Sequence, residues 1–329
     1  MVSFGDVDFE NGVDGMGSDT DQGQYEDEPE SSFSCRSGML NDMTTVLTSL
    51  LSANPKDALP CLIEAKANSF TFVVTGRSKC TQARASLSME LFDDYVVDGI
   101  VAGRGESIRI SLHLPKLIDC LLLFGGSDST TVNMSYSTSD NLFRVTLEDS
   151  GIITTCDITT LHLEDLELED GSLFSVFIEH EEVWSLLMKS EPLKGSFQEL
   201  FDVSGANSVQ VELKHDGLNL STVGIGESTC QIEIPRSSAA FVSFSRSPSA
   251  PGGNTPTVWT YPISSIHLGM KAINFAKETY IRINSEGMMC IQHQLTTKDE
   301  RGDNFIDICT AAENEDTAYE EAEESKEIT

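Results

Sequence analysis

The residue types that most often carry chemistry are here in quantity but not in working arrangements. Asp6, Asp8 and Glu10, and again Glu164, Asp165 and Glu167, are the carboxylate groups dense enough to hold a pair of cations for phosphodiester hydrolysis. Neither trio falls at the end of a core strand, where rigid geometry could hold a metal, so both read as solvated acidic runs. The six histidines, His113, His162, His180, His215, His267 and His293, have no partner three or four positions away. Gly224-Ile225-Gly226 has the look of a phosphate loop, but no helix follows it, and a strand-connecting turn is the better reading. The sequence has no GxxxxGK[ST], GxSxG or HExxH. No catalytic residue, metal site or cofactor is expected.

The eight cysteines, Cys35, Cys61, Cys80, Cys120, Cys156, Cys230, Cys290 and Cys309, never come closer than nineteen positions, which excludes a CxxC zinc ribbon. Most sit in apolar runs and read as reduced core thiols of an intracellular protein. No apolar run reaches the length of a membrane span, and no basic and apolar leader opens the chain. The formal net charge of -32 over 329 residues argues against free-standing attachment to nucleic acid or an anionic membrane, because both are polyanions.

That charge is unevenly spread. Residues 1–34 hold ten acids and no Lys or Arg, and residues 311–329 hold eight acids and one Lys. Both ends lack apolar periodicity and read as disordered acidic tails, 1–35 and 311–329. A Ser/Pro/Gly-rich insert, 243–257, reads as a flexible loop, and its Ser247-Pro248 and Thr255-Pro256 are candidate proline-directed phosphorylation sites. Leu161, Leu163, Leu166 and Leu168 alternate with polar and acidic residues ahead of the apolar stretch 173–178.

Any site must be positioned by a repeat. Helical spacing of apolar residues begins near Asn41, Pro115, Ser190 and Ser264, steps of 74, 75 and 74 residues. Asn41, Ser190 and Ser264 suit N-caps, and Pro115 suits a first helical turn. Between the helices the period falls to two. Residues 69–75, 84–89, 107–112, 130–136, 142–148, 152–158, 183–188, 208–215, 218–223, 229–234, 279–283, 288–294 and 304–309 read as strands broken by Gly- and Asp-rich turns. The spacing predicts an α+β protein of two similar domains, 36–160 and 181–310, joined by a connector at 161–180. Each domain holds two helix-plus-antiparallel-strands units, with the helices on one face.

Several stretches together resemble a known family. Ser107–Gly125 (SIRISLHLPKLIDCLLLFG), Leu142–Thr159 (LFRVTLEDSGIITTCDIT), Lys189–Asp202 (KSEPLKGSFQELFD) and Leu218–Gly224 (LNLSTVG) are similar, in order and spacing, to the sliding clamps. Within these the similarity is to the Rad-one family, part of the heterotrimeric DNA-damage checkpoint clamp. The resemblance covers roughly 36–310. It implies a sliding-clamp fold in a ring with Rad-nine-type and Hus-one-type subunits, closed around double-stranded DNA with helices on the inner face. It also implies loading by a clamp-loader ATPase, recruitment of checkpoint and repair proteins, a nuclear location, and no enzymatic activity. Candidate DNA-facing residues are Lys116, Lys194 and Lys271 on the helices, with Lys189 and Lys277 nearby. Replicative clamps carry more lysines there, and Asp42, Asp119 and Glu199 add negative charge, so the partner subunits are expected to supply most of the positive lining. The connector leucines Leu161, Leu163, Leu166 and Leu168 are the candidate dock for a basic, aromatic-anchored peptide. A homotrimeric replication-type clamp and a DNA 3'-5' exonuclease are the alternative readings. No Lys/Arg-rich cluster marks a nuclear signal, so entry to the nucleus with a partner is expected.

Overall fold

The computed structural model describes residues 32–51, 59–98, 107–125, 129–163, 172–225, 228–248, 255–268, 270–296 and 304–313. The repeat is present, and each helix is preceded as well as followed by strands. The first unit is β1 (Ser32–Ser37), α1 (Leu40–Ser49), β2 (Pro60–Lys66), β3 (Ser69–Thr75) and β4 (Thr81–Leu87), with β5 (Asp94–Asp98) trailing it. The second is β6 (Ile108–His113), α2 (Leu114–Leu121), β7 (Thr131–Ser137), β8 (Leu142–Asp149) and β9 (Ile152–Thr159). After a short helix α3 (Leu173–Glu179) comes the third unit. It holds β10 (Glu182–Lys189), α4 (Ser190–Phe201), β11 (Ala206–Lys214), β12 (Gly217–Gly224), β13 (Gln231–Pro235) and β14 (Phe241–Arg246). The fourth is β15 (Thr257–Pro262), α5 (Ile263–His267), a 3-10 turn at Met270–Phe275, β16 (Ala276–Asn284), β17 (Met289–Leu295) and β18 (Asn304–Thr310).

Paired units exchange their first strands. β1 leaves β2 and pairs with β7, while β6 pairs with β2; likewise β10 pairs with β16 and β15 with β11. The outcome is a five-stranded sheet β5-β1-β7-β8-β9, a four-stranded sheet β13-β12-β11-β15, and a central nine-stranded sheet β14-β10-β16-β17-β18-β4-β3-β2-β6. Antiparallel pairing of β18 with β4 joins the two halves through one continuous backbone ladder.

The helices form because apolar residues recur at helical spacing and find a sheet to cover. Leu114, Leu117, Ile118 and Leu121 of α2 are buried, as are Leu193, Phe197 and Leu200 of α4. Each such side chain contributes about 1.5–3 kcal/mol when taken out of water. Along β17, Met289 and Ile291 enter the main core with the helices, while Cys290 belongs to a separate apolar cluster with Phe174 and Phe177. Successive strand residues face opposite sides of a sheet. The helix α3 therefore lies on the outer face of the central sheet, opposite α1, α4 and the 3-10 turn.

Several sequence expectations are corrected. The helices start at residues 40, 114, 190 and 263, and no side chain caps α1, α4 or α5. Asn41 and Ser264 lie inside their helices. Ser190 is the first residue of α4, and its hydroxyl is bonded to Thr279 Oγ1 at 2.9 Å instead of to a helix N–H. Strand β1 takes residues 32–35 out of the expected tail. At the other end, Ala311 N donates to Cys80 O and Glu313 N to Thr260 O, so residues 311–313 are tied to the body. The expected loop 243–257 is shortened from both ends by β14 and β15. Four cysteines (Cys35, Cys61, Cys290, Cys309) are buried thiols, but Cys80, Cys120, Cys156 and Cys230 are only half-buried.

Candidate functional site

Among the described residues no group of three His, Cys, Asp or Glu is placed to hold a metal. The trios Asp6/Asp8/Glu10 and Glu164/Asp165/Glu167 lie outside the described residues. Gly224 closes β12 against a neighbouring turn, and an added Cβ there would collide with the Gly205 carbonyl oxygen. Its glycine serves that close approach, and Ile225 beyond it is 90% exposed. His293 is fully buried, with Nδ1 bonded to Thr279 Oγ1 at 2.9 Å. Burial holds its pKa down at about 3, so it stays neutral and packs as a core residue.

The five candidate lysines separate by element. Lys116 on α2, Lys194 on α4 and Lys271 in the 3-10 turn belong to the helices; α1 packs on α2, and the 3-10 turn packs on both α4 and α1, so these elements form one continuous layer. Lys116 and Lys271 are exposed and Lys194 is half-buried. Lys189 ends β10 and Lys277 is the second residue of β16, and these two strands pair with each other. Asp119 and Glu199 are exposed on the same two helices as Lys116 and Lys194.

The connector is more structured than its leucines indicated. Leu161 N donates to Ser111 O at 2.7 Å, which ties the connector's start to β6, and Leu163 is 41% exposed. Leu166 and Leu168 lie outside the described residues. The next described residues of the connector form the strap α3. Gln82 Oε1 accepts from Leu173 N at 2.8 Å and from Ser172 Oγ at 3.2 Å, doing the work that a capping side chain does elsewhere. At the other end Asn284 Nδ2 donates to Phe177 O at 3.2 Å. Between these ties, Phe174 and Phe177 press onto the sheet beside Met288, Cys290 and Cys309.

Two arginines hold the aromatic rings. Arg84 lies 4.2 Å from the Phe174 centroid, and Arg282 lies 5.3 Å from that of Phe177. Arg84 is fixed in turn by Asp307, with Nε and Nη2 at 3.1 and 2.7 Å from Oδ2, and Gln292 Nε2 donates to Oδ1 at 2.7 Å. Cys309 Sγ donates to Leu173 O at 3.5 Å. Burial pushes the Cys290 thiol up to about 11, and that of Cys309 up as well. Beyond the strap the same sheet face opens into a groove of about 390 Å3, lined in part by Leu187, Tyr280, Gln292 and Phe305. Spacing revealed none of Arg84, Arg282, Gln82, Asp307 or this groove. The one available signal was the pair Phe174 and Phe177 at a helical interval.

With this geometry in view, the chain can be set beside known proteins. The family model described as "Repair protein Rad1/Rec1/Rad17" matches residues 32–295. Cell cycle checkpoint protein RAD1 of Mus musculus is 25% identical over 282 residues, covering 84% of this chain and 91% of that protein. DNA damage checkpoint control protein rad1 of Schizosaccharomyces pombe is 24% identical over 270 residues, covering 76% and 78%. Among solved structures, the PCNA2-PCNA3 complex of Sulfolobus tokodaii superposes with a TM-score of 0.62 at 11% identity over 85% of this chain and 98% of that one. PCNA from Thermococcus kodakaraensis gives 0.61 at 13% identity, over 85% and 100%. The fold is therefore that of a sliding clamp.

Proposed function

Because the chain belongs to the Rad1 family of repair proteins, and so is a subunit of a DNA-damage checkpoint clamp, we propose that it closes a heterotrimeric ring with a Rad-nine-type and a Hus-one-type subunit. The ring encircles double-stranded DNA at damage sites, is placed there by a clamp-loader ATPase, and recruits checkpoint and repair proteins in the nucleus. The subunit itself is non-enzymatic.

The observation that carries this reading is the state of the outer sheet edges. Among the described residues β9 pairs on one side only, and it exposes Ile152 and Ile153 at 60% and 66%. An open edge with apolar side chains is a surface waiting for a strand. A head-to-tail ring needs one such edge from each half of the chain. The other edge of that sheet, β5, is short and ends in Asp94 and Asp98. In the four-stranded sheet, β15 already receives Glu313 N at Thr260 O, which leaves β13. Pairing of β9 with a neighbour's β13-like strand satisfies both backbones.

The groove beside α3 and the connector leucines are proposed as the recruitment surface. Leu187, Tyr280 and Phe305 supply apolar anchors, and the acidic connector favours a basic peptide. Lys116, Lys194 and Lys271, with Lys189 and Lys277, are proposed to face DNA, with the partner subunits carrying more of the contact.

The test is the solution mass of the purified chain, alone and mixed with the two partner types. A monomer that converts to a one-to-one-to-one complex, and that fails to convert when Ile152 and Ile153 are changed to Lys, is the expected result. A homotrimer formed by this chain alone would replace the reading with the replication-type clamp.

A further inference from the structure

We propose that the cleft where the β13–β14 connection meets the edge of the central sheet binds a phosphorylated serine or threonine carried on an extended segment of a partner protein. The cleft measures about 490 Å3, and its lining includes Trp184, His215, Arg236, Phe244, Arg246 and Ser247. Two arginines and a histidine line it, with the Glu181 carboxylate bonded to the Ser247 hydroxyl at its margin, in a chain with 53 acids against 21 Lys and Arg. Such a local reversal of sign selects anions.

The arginines are pre-set. Arg246 lies 5.2 Å from the Trp184 ring and Arg236 lies 5.3 Å from the Phe244 ring. Both rings are buried, at 1% and 8% exposure, so each guanidinium rests on a fixed floor. Arg236 Nη2 donates to Phe244 O at 3.2 Å, and Nη1 to His215 Nδ1 at 3.2 Å. A donor held in place before the ligand arrives loses little freedom on binding. Two guanidinium groups lining one cleft suit a phosphate monoester, which offers three acceptor oxygens and close to two negative charges.

A second observation identifies the carrier. β14 is an edge strand of the central sheet, paired among the described residues with β10 alone, and its Val242 is 50% exposed. A peptide strand added to that edge runs directly to Arg246 at the strand's end. The chain's own Ser247 is a poor source of the phosphate. Its hydroxyl donates to Glu181 Oε1 at 3.1 Å, so a phosphate there would meet a carboxylate. DNA is also disfavoured, since a phosphodiester brings one charge per group on a polyanion that the chain's net charge repels.

The experiment follows the arginine Nε–Hε resonances of the full chain during titration with four probes. These are a short capped peptide with one phosphoserine, the same peptide unmodified, inorganic phosphate, and a single-stranded oligonucleotide. The phosphopeptide should shift Arg236 and Arg246 saturably and the unmodified peptide should not. Arg246→Gln should weaken the binding by about tenfold. Arg236→Gln can disturb the β13–β14 turn, so Ser245→Glu, an exposed change on the rim, serves as the second variant. It should abolish binding with an unchanged melting temperature. Equal shifts from the unmodified peptide, or full binding by Ser245→Glu, would overturn the proposal. Inorganic phosphate binding as tightly as the phosphopeptide would assign the cleft to the free anion, and preferential binding of the oligonucleotide would assign it to nucleic acid; either overturns the peptide source.

Discussion

The contact between Arg84 and Asp307 spans 223 residues of sequence and links the two halves of the chain. Asp307 is 3% exposed, so its charge is tolerable only with Arg84 and Gln292 in place. Arg84→Met removes the counter-charge and leaves the carboxylate buried with one neutral donor. The expected loss is about 3 kcal/mol in urea unfolding, and Asp307→Leu on top of it should recover most of that. No periodicity could show this pair, since each residue alone looks like an ordinary polar position in a strand. His293 makes the second prediction at this scale. Its folded pKa is depressed to about 3, so between that value and the unfolded value of about 6.5 the unfolded chain binds one more proton. The contribution is fully present above pH 6.5 and is lost as pH falls toward 3. At pH 5 the loss amounts to about 2 kcal/mol relative to neutrality. His293→Gln should remove that component, and comparing the pH slopes of unfolding free energy for the two proteins over pH 5 to 7 checks it.

The strap α3 shows what tertiary contact adds to a weak element. Seven residues without a capping side chain of their own would not hold a helix in water. Phe174 and Phe177, seated on Arg84 and Arg282, hold it. Replacing both phenylalanines by Ala should free the strap while the sheet beneath stays folded, because local opening is decoupled from global unfolding. The readout is thiol labelling. Cys290 and Cys309, directly opposite each other on β17 and β18 and buried at 1% and 0%, should react at least tenfold faster, by about 1.4 kcal/mol of lost protection, with little change in melting temperature. Unchanged labelling would mean that the strap does not shield them. The sequence made α1, α2, α4 and most hairpin strands legible, because their periods of 3.6 and two match one buried face, whereas the fourth helical stretch breaks at Leu268 into the five-residue α5 and a 3-10 turn. It hid β1 (SFSCRS), which is short and largely polar, and β5 (DYVVD), whose five residues are too few to show a period. It also hid β2 (PCLIEAK), whose three consecutive buried residues, Cys61, Leu62 and Ile63, blur the alternation. β14 and β15 flank a Ser/Pro/Gly stretch whose composition argued for a loop throughout. The groove stayed invisible for the same reason as the strap: it is built from alternate residues of strands far apart in sequence.

For the whole molecule, the decisive quantity is how charge would be placed around the polyanion in the proposed ring. The net charge is -32, and the helix layer of this chain offers Lys116, Lys194 and Lys271 against Asp42, Asp119, Glu191 and Glu199. A clamp whose every subunit gripped phosphate would show a steep fall of DNA affinity with salt, close to one unit of log–log slope per contact. In the proposed heterotrimer, with this subunit acidic, the slope should come mainly from the other two. Changing Lys116, Lys194 and Lys271 together to Ala should therefore leave the slope for the assembled ring within about one unit of its starting value. The comparison is binding of a circular duplex, which cannot slip out of a closed ring, at several salt concentrations. A fall of about three units would mean that each lysine holds a phosphate and that this subunit grips DNA as firmly as its neighbours. The smaller change fits a division of labour. In the proposed ring the partners would supply attraction, and this chain would supply closure through β9 and β13 and a sheet face for recruitment.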